Sequence, residues 1–166
     1  MSTTDSVDAV IEGWQQARPD LDVTPIGIVL RLGRIRALME ERMEALMASH
    51  GLTLADFSAL AAVQRLQGER GVSQVMIMRE LGLTSGTVSL RIDRLVKSGL
   101  ATRATDPADR RGALVALTPA GRAAFDRAAP DHLANEAAMV SALPRRDQQH
   151  LAELLQVLLA GLEQDS

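Results

Sequence analysis

The chain has 166 residues, a formal net charge of −3, no cysteine, and only Trp14, Phe57 and Phe125 as tryptophan or phenylalanine. That length supports one domain with a real core, and the lack of cysteine excludes a disulfide framework, a thiolate metal site and a cysteine nucleophile. No basic-then-apolar start and no uncharged apolar run of about 20 residues occurs, so neither secretion nor a membrane span is expected and the cytoplasm is the simplest location.

Val7, Val10, Ile11 and Trp14 recur at i, i+3, i+4 and i+7, predicting a short amphipathic helix that Arg18-Pro19-Asp20 ends. A second, long helix is predicted from about Pro25, with Ile28, Leu32, Ile35, Met39, Met43 and Leu46 in steps of three and four. Thr53-x-x-Asp56 is a capping box opening a third helix, with Leu54, Phe57, Leu60 and Ala61 inward, and Gln67 to Gly71 reads as a loop.

Ser73 to Leu117 predicts two short helices joined by a tight turn, then two strands joined by a charged loop. Gly82 closes the first helix and Thr84 caps the second, whose buried face is expected to hold Val88, Ile92, Leu95 and Val96 before Gly99 stops it. Leu100 to Thr105 and Ala113 to Leu117 are the strands, separated by Asp106-Pro107-Ala108-Asp109-Arg110-Arg111-Gly112. This order is a winged helix-turn-helix, a unit that lays its second helix in a DNA major groove while the hairpin reaches phosphates or the minor groove.

Thr118-Pro119 then starts a helix through Ala124 and Ala128, with Pro130 a candidate kink. The last helix follows Leu143-Pro144 and carries Leu151, Leu154, Leu155, Leu158, Leu159 and Leu162, a stripe that suits either an ordinary core helix or a dimer interface. The predicted fold class is therefore mainly α: a winged helix-turn-helix with a small β-hairpin wing and a helical region built by the N- and C-terminal helices. One domain over 1–166 is expected, with N-terminal helices in 1–48, the winged unit in 52–117 and C-terminal helices in 118–166.

Charge is unevenly placed. Thr84 to Arg111 holds Arg91, Arg94, Lys97, Arg103, Arg110 and Arg111 against Asp93, Asp106 and Asp109, whereas Met1 to Thr24 holds Arg18 against Asp5, Asp8, Glu12, Asp20 and Asp22. A basic reading head in an acidic protein leaves specific contacts, more than bulk charge, to decide nucleic-acid affinity.

Leu95-x-x-x-Gly99-Leu100-x-x-Arg103, Asp106-Pro107-x-Asp109-Arg110-Arg111 and Val115-x-Leu117-Thr118-x-x-Gly121 together resemble the signature of the MarR family of bacterial transcription regulators. The resemblance implies a homodimer whose terminal helices intertwine, binding double-stranded DNA at a pseudo-palindromic operator as a repressor of nearby genes relieved by a ligand.

On the second helix of the winged unit, Thr84, Ser85, Gly86, Thr87 and Ser89 are small groups that allow close approach to bases and phosphates, and Leu90 and Arg94 project away from the apolar stripe. Leu90 reads either as a contact to a thymine methyl or as a plain exposed leucine. By resemblance, one of the wing arginines Arg110 and Arg111 enters the minor groove, braced by Asp109.

Trp14-x-x-x-Arg18-Pro19-Asp20-Leu21-Asp22, with Thr84-Ser85-Gly86 and Arg91-Ile92-Asp93, resembles the family's urate-responsive subgroup, which carries an added N-terminal helix. Matching positions imply a small anionic or aromatic ligand held by Trp14, Arg91 and Arg103. Where the subgroup has an aspartate this chain has Ser58, which leaves the arginines less neutralised and favours a carboxylate over urate. The alternative is that Arg91 and Arg103 are phosphate contacts or ion-pair partners and that Trp14 packs its own helix.

An enzyme is not expected: His50, His132 and His150 lack metal-ligand spacing, and neither a G-x-S-x-G elbow nor a phosphate-binding glycine motif occurs. No metal, cofactor or membrane partner is expected. The competing reading is a helical interaction protein whose winged helix binds a protein partner.

Overall fold

A computed structural model describes residues 4–66, 68, 71–106 and 112–164. The elements are α1 (Asp8–Ala17), α2 (Thr24–Ser49), α3 (Leu54–Leu66), β1 (Val72–Ser73), α4 (Gln74–Leu81), α5 (Ser85–Lys97), β2 (Ala101–Thr105), β3 (Ala113–Leu117), α6 (Pro119–Met139) and α7 (Arg145–Gln164). The chain divides into two compact units, Met1–Ala45 and Leu46–Ser166.

In the first unit α1 is held by charge. Asp5 Oδ1 accepts from the Val7 amide and Asp8 Oδ2 from the Asp5 amide, both at 2.7 Å, so two carboxylates fix the turn that leads into the helix. Arg31 of α2 donates to Asp5 Oδ2 at 2.7 Å and to Asp8 Oδ1 at 2.5 Å, and Arg34 bonds Ser6 Oγ. The Arg31 guanidinium, together with the Val7 amide, holds the Asp5 carboxyl below its ordinary range. After α1 ends, Arg18 pairs with Asp20 at 2.6 Å.

The second unit is the winged helix-turn-helix. The Thr53–Asp56 box forms as expected: Asp56 N donates to Thr53 Oγ1 at 3.1 Å and Thr53 N donates to Asp56 Oδ2 at 3.3 Å. Ser73 caps α4, whose first amides it meets through Met76 N, and Gly82 closes that helix at φ 61°. Thr84 caps α5 through the Thr87 amide.

A core of Leu60, Val63, Ile77, Val88, Ile92, Leu95, Val115 and Leu117 ties α3, α4 and α5 to the sheet, every one nearly or wholly buried. A neighbouring cluster unites Met47 with Phe57, Ala61 and Ala128; the Phe57 and Phe125 rings stack at 5.9 Å, and His132 lies 4.7 Å from Phe57. Val96 departs from expectation. It is 38 % exposed, because eight residues beyond Val88 at about 100° each put it on the rim of the stripe that Ile92 and Leu95 centre.

The sheet also has a strand the pattern did not predict. β1 pairs antiparallel with β3, Val72 opposite Val115, giving the order β1-β3-β2. Two residues carry no detectable alternation, so β1 exists only because β3 offers it a free edge. β2 and β3 pair in register from Ala101–Leu117 to Thr105–Ala113.

α6 runs from its Thr118 cap through Pro130 as one helix. No residue of α7 is buried. Among the described residues no single helix is long and apolar enough to cross a membrane.

Candidate nucleic-acid interface

The site is built on α5 and on what fixes it. At its C-terminal end, Gly99 at φ 73° turns the chain into β2, and Thr118 staples the far side of the wing back to this turn. Thr118 Oγ1 donates to the Gly99 carbonyl at 2.7 Å and accepts from Gly121 N at 3.0 Å, while Thr118 N donates to Leu100 O at 3.1 Å. Gly121 makes that closeness possible: a Cβ there would lie 1.9 Å from the Leu100 carbonyl oxygen. The Leu-Thr-x-x-Gly portion of the sequence signature is thus a joint between wing, recognition helix and α6.

A second tie lies along the helix. Arg103 on β2 donates to Asp93 Oδ1 at 2.6 Å, to Gln74 Oε1 at 3.1 Å and to Ser89 Oγ at 3.4 Å. One guanidinium therefore joins β2, α5 and the start of α4, a fork geometry that lysine cannot supply. Arg103 thus stands in an ion pair with Asp93. Gln74 was not singled out in the sequence, since nothing local marks a contact 29 residues away.

A third tie reaches α3. Arg94 Nη1 lies 3.6 Å from Asp56 Oδ1 and 3.5 Å from Thr53 Oγ1. Asp56 is buried, and its Oδ1 has no hydrogen bond among the described residues. The Arg94 charge offsets that burial while the side chain stays 59 % exposed.

What remains outward on α5 is the candidate surface. Thr84, Ser85 and Gly86 are exposed at its N-terminus, and nothing lies within 4 Å of where a Gly86 Cβ would be. Thr87 shares its hydroxyl with Thr84 at 3.0 Å, so both are partly committed to the cap. Ser89 faces Arg103. Leu90 is 72 % exposed, Lys97 is exposed, and Arg91 is half-buried with no ion pair to a described residue.

Asp109, Arg110 and Arg111 lie outside the described residues, so the wing tip carries no structural account. Ser58 sits on α3 and bonds the Leu54 carbonyl of its own helix at 2.8 Å. In the other unit, half-exposed Trp14 lines an apolar hollow of about 480 Å³ with Val10, Pro25, Ile26, Val29 and Leu30.

The profile of the MarR family matches residues 50–112, the span from the α3 capping box to the end of the wing loop. The chain belongs to the MarR family. It is 32 % identical over 106 residues, 64 % of this chain and 67 % of the other, to YkoM of Bacillus subtilis, described as an uncharacterised HTH-type transcriptional regulator. The HTH-type transcriptional regulator PecS of Dickeya dadantii is 29 % identical over 149 residues, 90 % of each chain.

Among solved MarR-like structures, Bordetella bronchiseptica BpsR, whose DNA binding is regulated by 6-hydroxynicotinic acid, is 27 % identical. It superposes with a TM-score of 0.69 over 81 % of this chain and 98 % of that one. Its relatives place this MarR-family chain among DNA-binding transcription regulators, and the observed helices and three-stranded wing are the family's winged helix.

Proposed function

We propose that the protein is a homodimeric repressor that binds a pseudo-palindromic operator in the cytoplasm and is released from it by a small anionic ligand. The observation that carries the DNA half is the outward face of α5. It combines a helix N-terminus ringed by small residues with Arg94 and Lys97, on a helix tied at three places to its surroundings. Backbone amides and hydroxyls at Thr84, Ser85, Gly86, Thr87 and Ser89 suit phosphates and base edges. Leu90 and Arg94 extend the face, and Arg110 and Arg111, supported by Asp109, supply the wing contact.

Dimerisation is supported by α7. Leu151, Leu154, Leu155, Leu158, Leu159 and Leu162 are each between 38 % and 59 % exposed at alternating steps of three and one. Such a stripe costs hydrophobic free energy if left in water. A two-fold pair of α5 helices reads half-sites about 10 bp apart.

The ligand half is supported separately in each unit. Arg91 holds a positive charge with no ion pair to a described residue, Ser58 adds no negative charge, and Trp14 borders an apolar hollow. Arg103, already paired with Asp93, contributes charge at the base of the reading head. BpsR responds to an aromatic carboxylate, which fits an anionic, planar ligand class.

Fluorescence anisotropy on the protein's own upstream intergenic DNA tests the whole reading, with urate, 6-hydroxynicotinate and related acids as competitors. Specific, salt-dependent binding that one acid abolishes is the expected result. Binding that no acid disturbs removes the ligand half. Absence of specific binding at low salt removes the regulator and leaves a protein-docking winged helix.

A further inference from the structure

The polar groups in the middle turn of α5 are shared with the fold. The Ser89 hydroxyl lies 3.4 Å from Arg103, the Asp93 carboxylate takes the same guanidinium at 2.6 Å, and Arg94 leans toward Asp56 and Thr53. Between them Leu90 stands 72 % exposed, among the most exposed large apolar side chains of the described residues. A γ-branched apolar group in that position gains nothing from water. Among the described residues its helical neighbours cover little of it: Gly86, one turn earlier on the same face, has no side chain, and Asp93 and Arg94, one turn later, are engaged with Arg103 and with Asp56.

Major-groove edges offer one apolar feature, the C5-methyl of thymine. Nothing lies within 4 Å of where a Gly86 Cβ would be, so no side chain at that position stands between the helix and a groove floor. We propose that Leu90 is a specificity-determining residue that packs on one thymine methyl in each operator half-site. This rests on the DNA-binding reading above and deepens it, assigning the middle of α5 to methyl recognition and leaving hydrogen-bonded readout to its ends.

The test uses the full chain. A consensus duplex is selected from a random library, and each thymine of the half-site is then replaced in turn by deoxyuridine, which removes only the methyl. For the wild-type protein, one symmetry-related thymine is expected to lose about fourfold in affinity on this change, the effect of one buried methyl-sized group. Leu90→Ala is expected to bind the thymine and uracil duplexes equally while keeping its thermal midpoint, because the side chain it removes is exposed.

A uracil effect of the same size in Leu90→Ala overturns the assignment, since another residue then reads the methyl. No uracil effect at any thymine overturns it as well. Recovery of no specific duplex is a different failure: it sinks the DNA-binding reading itself and this inference with it.

Discussion

Arg103 and Asp93 meet at 2.6 Å, joining the first wing strand to the recognition helix across ten residues of sequence. Because the same guanidinium also touches Gln74 and Ser89, one side chain is shared by the wing, the helix and the start of α4. In the proposed mode of binding, with helix and wing engaging DNA together, the angle between them is part of the affinity.

Replacing Arg103 with alanine is accordingly expected to weaken operator binding more than it weakens the fold. The ion pair is partly exposed, so a double-mutant cycle with Asp93→Asn should return a coupling of about 0.2–1 kcal/mol in urea unfolding. Lysine at 103 should restore little DNA affinity, since it cannot bridge three acceptors in one plane. Full affinity in Arg103→Lys would show that charge alone suffices.

Gly121→Ala should destabilise the second unit by about 1–3 kcal/mol, because its Cβ would overlap the Leu100 carbonyl, which is backbone and has little room to move. Denaturant midpoints measure this directly. A neutral result would mean that the turn after α5 yields easily.

Thr118→Val keeps the shape but removes the hydroxyl that caps α6 and meets the Gly99 carbonyl. A loss of about 1 kcal/mol is expected from the cap. Serine at the same position should recover most of it, and amide exchange at Gly121 should speed up only in the valine variant.

Arg110→Ala should lower operator affinity by about tenfold or more without moving the thermal midpoint, the signature of one lost groove contact. Arg111→Ala provides the comparison: if it acts on phosphate alone, it reduces the salt slope by about one with no change in sequence preference. Unchanged binding of Arg110→Ala at moderate salt would remove the wing from the site.

Acid should loosen the α1 attachment. Arg31 and the Val7 amide hold the Asp5 carboxyl below its ordinary value of 3.8, so their stabilisation is complete above that value and is lost as pH falls through the lowered one. Trp14, the only tryptophan and a residue of α1, reports the change through its emission. Arg31→Met should move the transition to higher pH, toward the ordinary carboxyl range. An unshifted transition would show that another group controls it.

Helix boundaries in this protein were legible residue by residue because they are decided locally. Thr84 and Thr118 cap the helices they were expected to cap, Ser73 caps α4, the Thr53–Asp56 box forms, and Gly82 and Gly99 take positive φ where helices stop. Each is a bond or a backbone preference spanning at most four residues, so the sequence by itself determined the order helix, turn, helix and hairpin, and with it the family signature.

Tertiary structure alone decided which partners the reading head's side chains meet. Arg103 reaches Gln74, Arg94 reaches Thr53 and Asp56, and Val72 pairs with Val115, contacts between residues tens of positions apart that no periodicity encodes. The same packing put Val96 on a rim instead of in the core and left Leu90 uncovered. The physical reason is that helical phase tells which way a side chain points, whereas only the neighbouring elements determine whether a partner stands there to meet it.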